Sequence, residues 1–337
     1  MKRYYLIFFT INNYCYKYKY KYIYIYNNIT KKMVKVGDII GIWKINKILC
    51  MNDNFVIICD VSTYKIDVNE LLNKLNGVSN WIMKLRLYEK KYSEVDIIKK
   101  INFKDVPNSV IADIDSEYMF GFYDKYEWYI IEKCDGDLNK YIKIATEKWD
   151  ILLENVCSFL KYLHRVKKVI HGDLKEKNIL YNSELDKFKV CDYESCKKQV
   201  LDISCNKIIE TIKDGLPIYN RVDSDGYYFY YLGANLNESY MSYKMDLLSF
   251  GFILWNIYSY KTTKRSLFKW QLRAIELYES NEQIYRYDEL EKLKSEEEMP
   301  DIIKEYFKIV DTIDPLSIEP PDKNIYDRIF DLKKYKL

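Results

Sequence analysis

The segment His171-Gly172-Asp173-Leu174-Lys175-Glu176-Lys177-Asn178 sets out a carboxylate, a lysine two residues on and an amide five residues on. A second carboxylate, Asp192, follows after what reads as strand, turn and strand. Phosphoryl transfer asks for little more: a carboxylate beside the acceptor hydroxyl, hard oxygen ligands for Mg²⁺, and cations on the phosphates. In that chemistry Asp173 serves the acceptor hydroxyl and Lys175 reaches the transferring phosphate. Asn178 and Asp192 offer oxygens to the metal. One aspartate alone would be read as a turn or cap residue; the joint spacing of His, Gly, Asp, Lys, Asn and the later Asp argues otherwise. His164 and His171 are read as structural, His171 packing under the loop.

Lys84 closes the apolar stretch Trp81-Ile82-Met83. This is the V-A-I-K arrangement, in which a strand lysine meets the α- and β-phosphates and pairs with a helix glutamate. Glu94 is the expected partner and Glu89 the fallback.

These residues need elements to hold them. Ile39 to Leu49 and Phe55 to Val61 read as strands around the turn residues Asn52-Asp53-Asn54, and Trp81 to Leu87 and Tyr126 to Cys134 as two more. A short helical stretch covers Ser93 to Lys100. Leu152, Val156, Phe159, Leu160 and Leu163 recur at helical spacing and predict one buried face. Asp246 to Tyr260 is apolar almost all round, which predicts a buried helix, and Pro300 to Leu337 again alternates at helical spacing. Strands first and helices second predict an α+β chain of two lobes with a cleft at the hinge.

Composition limits the function. The 337 residues carry a net charge of only +3, too little for a dedicated nucleic-acid binder. Residues 1–32 carry +7 by themselves, which leaves −4 for residues 33–337, a mildly acidic remainder. Nine tyrosines alternate there with Lys and Ile, and the stretch is expected to be a low-complexity basic leader outside the fold. The domain is expected over 33–337, with 33–133 as the N-lobe and 134–337 as the C-lobe. The cysteines are scattered with no Cys-x-x-Cys pair and only two histidines accompany them, which speaks against zinc and for a reducing compartment. No apolar run reaches the length of a membrane span.

The motif His171-Gly172-Asp173-Leu174-Lys175, with Gly where most protein kinases have Arg, together with Asp192-Tyr193, resembles the vaccinia-related kinases of the casein-kinase-1-like group. The likeness extends to Ser93-Glu94-Val95, to Asp225-Gly226 through Asn235, to Tyr243-Lys244-Met245-Asp246 and to Pro300 through Leu332. It implies the bilobal protein-kinase fold and transfer from ATP, with Mg²⁺, to serine and threonine hydroxyls of proteins. By the same resemblance Ile131 is the gatekeeper, Glu132 and Cys134 offer hinge backbone groups to adenine, and Leu49 and Val56 contact the nucleotide. A DNA-bridging chromatin protein is the implied target, in host cytoplasm or nucleus, with the chain a monomer that touches neither membrane nor nucleic acid directly.

Two positions depart from the family. No glycine lies between Gly41 and Gly77, where a Gly-rich loop should cradle the phosphates. The residue after Asp192-Tyr193 is Glu194, not Gly. These departures keep a second reading open, a pseudokinase that binds a protein partner. A third is a small-molecule kinase of the aminoglycoside or choline type, against which Lys175 and the Asp225-to-Trp255 region stand.

Overall fold

The computed structural model of the chain describes residues 34–51, 56–64, 80–88, 93–103, 105–111, 118–198, 218–223, 226–232, 239–240, 243–263, 300–314, 317 and 319–335. The leader, the Gly-poor stretch 52–55 and Glu89 lie outside them, as does most of the segment from Ser195 to Asp223.

The N-terminal part is one antiparallel six-stranded sheet. Its strands are β1 (Ile39–Ile40), β2 (Trp43–Met51), β3 (Ile57–Thr63), β4 (Trp81–Leu87), β5 (Phe120–Tyr123) and β6 (Tyr126–Glu132), in the order β1-β2-β3-β4-β6-β5. The run that reads as one strand from Ile39 to Leu49 is a tight hairpin. Gly41 turns it at φ +60°, and a Cβ there would lie 3.3 Å from Trp128. Helix α1 (Glu94–Ile101) is stopped by Asn102 at φ 54°. Trp43, Ile45, Cys59, Met83, Leu85 and Ile130 fill the sheet's own core.

The C-terminal part begins at β7 (Gly136–Asp137), followed by α2 (Ile142–Glu147) and α3 (Trp149–Tyr162). Then come β8 (Val169–Ile170), β9 (Ile179–Asn182), β10 (Lys187–Val190) and β11 (Lys197–Lys198). Strands β12 (Ile218–Asp223), β13 (Gly226–Leu232) and β14 (Ser239–Tyr240) form a separate small sheet. Helices α4 (Tyr243–Thr263), α5 (Asp301–Asp311) and α6 (Lys323–Phe330) complete it. All five apolar residues of the α3 stripe, Leu163 included, are fully buried, each worth ~1.5–3 kcal/mol against exposure. No helix among the described residues is long and apolar enough to cross a membrane.

The larger core does not divide at residue 133. Val95, Ile98 and Ile101 of α1 belong to the same apolar cluster as Leu152, Phe159 and Ile253. Helix α1 thus shares one apolar cluster with the C-terminal helices, while its first residue, Glu94, bonds side chains of β6.

Helix α5 crosses α4 at Gly251, where an added Cβ would stand 2.6 Å from Tyr306 Cε1 and 2.8 Å from Phe307 Cε1. Alanine gains about 1 kcal/mol of helix propensity, but overpacking costs ~1–3 kcal/mol. Gly251→Ala is expected to lower the denaturant midpoint; a midpoint that rises would mean that α5 moves aside freely.

Candidate active site

The catalytic loop is held from three directions. Strand β8 delivers His171, and a short 3₁₀ turn over Glu176–Asn178 leads into the β9–β10 hairpin. With Val190 opposite Ile179, the hairpin returns the chain to its starting point, where Cys191 N–H donates to the Asn178 carbonyl at 2.9 Å. That bond ties the segment before Asp192 directly to Asn178. From below, Asp246 of α4 accepts the backbone N–H groups of His171 (2.7 Å) and Gly172 (2.9 Å). His171 joins the two segments, its Nε2 bonding the Cys191 carbonyl at 3.1 Å and its Nδ1 accepting the Asp173 N–H at 3.3 Å.

Asp173, Lys175 and Asn178 come together in this loop. Asn178 Nδ2 donates to the Asp173 carbonyl (2.7 Å) and to its Oδ2 (3.0 Å), and Lys175 Nζ lies 3.1 Å from the same Oδ2. With its nitrogen committed, Asn178 has Oδ1 left for a cation. Asp192 takes φ +69°. Burial opposes ionisation of Asp192, but the Lys84 ammonium at 2.8 Å, with smaller help from His171 and Lys175, holds the carboxyl below its ordinary value. The two residues thus give a carboxylate and an amide oxygen, the hard donors that suit Mg²⁺.

Lys84 Nζ stands 2.8 Å from Glu94 Oε2 and 2.8 Å from Asp192 Oδ1. Burial disfavours its charge, yet Glu94, Tyr129 and Asp192 keep the ammonium pKa well above the usual lysine value. Glu94 is fully buried, and β6 seats it. Its Oε1 accepts Tyr129 O–H at 2.6 Å and Tyr193 N–H at 3.1 Å. Two residues before Tyr129 on the same strand, Glu127 accepts Glu94 N–H at 2.9 Å and Ser93 O–H at 2.5 Å, while Ser93 caps the helix at Asp96 N–H. Two residues that sequence reasoning missed, Glu127 and Tyr129, therefore fix the glutamate that Lys84 needs. Their alternation on β6, one face with Ile131, was the available signal.

Ile131 is half-buried and pairs across the sheet with Ile82, two residues before Lys84. Around Cys134 the backbone pairing closes on both sides, Lys133 N–H donating to Asn80 and Asp135 N–H to Tyr181. Burial, then Glu132, pushes the Cys134 thiol up to about 12. The Glu132 side chain, unlike its backbone, played no part in the sequence reading. It is buried against Lys189 Nζ at 2.5 Å and accepts Asn182 Nδ2–H at 2.7 Å, clamping the end of β6 to the β9–β10 hairpin. The β2–β3 register, Met51 opposite Ile57, sets exposed Leu49 and half-buried Val56 at the turn end of their hairpin. Asp53 lies outside the described residues.

Glu194 turns onto Arg86, two residues beyond Lys84 on the same face of β4. One oxygen each of Glu94, Asp192 and Glu194 lies within 4.8 Å of the others, so Lys84 and Arg86 together balance this anionic cluster. Burial and then Asp192 raise the Glu194 carboxyl pKa. Arg86→Ala is expected to unmask Glu194 and raise the KM for Mg-ATP several-fold, about 1 kcal/mol. In Arg86→Ala/Glu194→Gln the KM should return close to that of the unaltered chain. Equal KM values in all three would mean that Glu194 carries no field to the nucleotide.

A family model described as a protein kinase domain matches residues 78–314. The match starts after β3, so the glycine-free β2–β3 hairpin falls outside it. The chain is 29% identical over 153 residues to a dual specificity protein kinase of Mycosarcoma maydis, covering 39% of this chain and 35% of that one. It is 21% identical over 193 residues to a probable serine/threonine-protein kinase of Dictyostelium discoideum, covering 56% and 16%. The chain thus spans about a third or less of the length of these relatives.

Proposed function

Because the chain belongs to the protein kinase family, as the match over most of its length establishes, we propose that it transfers the γ-phosphoryl group of ATP to serine and threonine hydroxyls of proteins. The observation that carries this reading is the closed Lys84–Glu94–Asp192 arrangement beside the Asp173–Lys175–Asn178 cluster. Asp173 receives the proton of the acceptor hydroxyl, and Lys175, now paired to it, stands ready for the transferring phosphate. Lys84, anchored by Glu94, meets the α- and β-phosphates. Mg²⁺, held by Asp192 and Asn178, would supply neutralisation of phosphate charge. The backbone at Glu132 and Cys134 would read adenine beside Ile131. Within the family, Gly172 and the Asp192-Tyr193 pair support a place near the vaccinia-related kinases and, with it, a chromatin-bridging protein as substrate in host cytoplasm or nucleus.

A specific observation favours the runner-up. The β2–β3 hairpin, Trp43 to Thr63, holds no glycine and lies outside the family match. A pseudokinase would keep the fold and drop turnover. The test is transfer from labelled Mg-ATP to a mixed protein substrate, followed by phosphoamino-acid analysis. Label on serine and threonine supports the proposal. No label, together with no thermal shift on adding Mg-ATP, would make the chain a protein-binding regulator.

A further inference from the structure

A buried polar chain runs from the last long helix to the catalytic loop. Tyr326 of α6 places its hydroxyl 2.6 Å from His164 Nδ1. His164 Nε2 lies 2.8 Å from Asp246 Oδ2, and Asp246 holds the N–H groups of His171 and Gly172, the two residues before Asp173. His164 is fully buried, Tyr326 is 1% exposed and Asp246 2%, so no member of the chain can turn to bulk water for a partner.

The donors can be assigned by elimination. Burial opposes the Asp246 charge, but the hydrogen bonds it accepts from His164 and from the Gly172 N–H keep its carboxyl below the ordinary value. An ionised carboxylate only accepts, so His164 must carry its proton on Nε2. With its single proton there, the ring offers a lone pair at Nδ1, and the hydroxyl that meets it belongs to Tyr326. Burial and the nearby Asp246 raise the Tyr326 pKa well above the usual phenol, so that hydroxyl keeps its proton.

We propose that Tyr326 is a positioning residue: by donating to His164 Nδ1 it fixes the Nε2–H tautomer, and through it the orientation of Asp246 under the catalytic loop. The C-terminal helix is thereby part of the machinery that aims Asp173, although it touches no substrate. This rests on the kinase reading above for its kinetic consequence, but not for its tautomer.

The chain has only two histidines, His164 and His171, so selective ¹⁵N-histidine labelling gives two imidazoles, told apart with His171→Gln. In the full chain His164 should report a single neutral Nε2–H tautomer. Tyr326→Phe keeps the ring in the core and removes only the hydroxyl. It should shift the His164 nitrogens away from that signature and lower kcat roughly tenfold, with the KM for Mg-ATP unchanged within about twofold. Unchanged His164 resonances in Tyr326→Phe, or an imidazolium in the unaltered chain, would overturn the proposal. So would an unaltered kcat beside a shifted tautomer. If Tyr326→Phe failed to fold, the nitrogen shifts of the unaltered chain would decide: a protonated Nε2 beside an unprotonated, hydrogen-bonded Nδ1 supports the proposal, and the opposite tautomer or an imidazolium overturns it. If the chain transfers no phosphate at all, the kinase reading falls and the nitrogen signature alone decides this one.

Discussion

Asp173→Asn is expected to lower kcat for phosphate transfer roughly 10³-fold, ~4 kcal/mol of barrier, while leaving the Mg-ATP thermal shift in place. The variant keeps the shape of the loop. The oxygen of the introduced amide can still accept from Asn178 Nδ2, and the backbone carbonyl contact at 2.7 Å is untouched. What disappears is the negative charge beside Lys175 and the ability to take a proton from the acceptor hydroxyl. Because Lys84, Asp192 and Asn178 remain, nucleotide binding should survive, and the loss should appear in kcat with little change in KM. Equal transfer by Asp173→Asn and the unaltered chain would remove Asp173 from the chemistry and assign any label to a contaminant.

The parts of the site that were legible in the sequence are those whose geometry is local. Asp173 and Asn178 are five residues apart in one loop, and Asp192 follows a hairpin whose register returns it by construction. Lys84 was legible as the end of an apolar strand, and the α3 stripe as a helix face. The seat of Glu94 was not. Glu127 and Tyr129 reach it from 33 and 35 residues away, and the Glu132–Lys189 pair spans 57. Such pairings are chosen by how strands and helix pack, and no window of sequence carries them. The Arg86–Glu194 contact left a fainter trace. Lys84 and Arg86 share one strand face, Asp192 and Glu194 are likewise two apart, and two cations so spaced can meet two anions so spaced. Glu194 read alone is an intrusive charge; beside Arg86 it is half of a second ion pair. The hairpin between Ile39 and Met51 was misread as one strand because its turn is only Gly41 and Ile42, too short to interrupt the apolar pattern.

Lys84→Met should cost both activity and stability, and the two losses should separate. Glu94 is fully buried and Asp192 half-buried, each with an oxygen 2.8 Å from Nζ. Removing the ammonium leaves the buried Glu94 carboxylate facing the half-buried one of Asp192, and breaking such a pair costs at most about 3–5 kcal/mol. The pH dependence follows from the sign of the Asp192 shift. Its folded carboxyl is held below the ordinary value, so the stability it contributes is present above the unfolded pKa and is lost only as pH falls through the lower, folded one. Without Lys84, burial is the dominant influence left and raises that pKa, so Lys84→Met should instead gain stability as pH is lowered toward the carboxylate range. Adding Glu94→Gln removes one of the facing charges and should recover much of the melting temperature, because the oxygen of the introduced amide can still accept from Tyr129 and Tyr193. Transfer should remain lost in both variants, since nothing then meets the α- and β-phosphates. A double variant as unstable as the single one would mean that the stability of this corner comes from packing and not from the Lys84 charge.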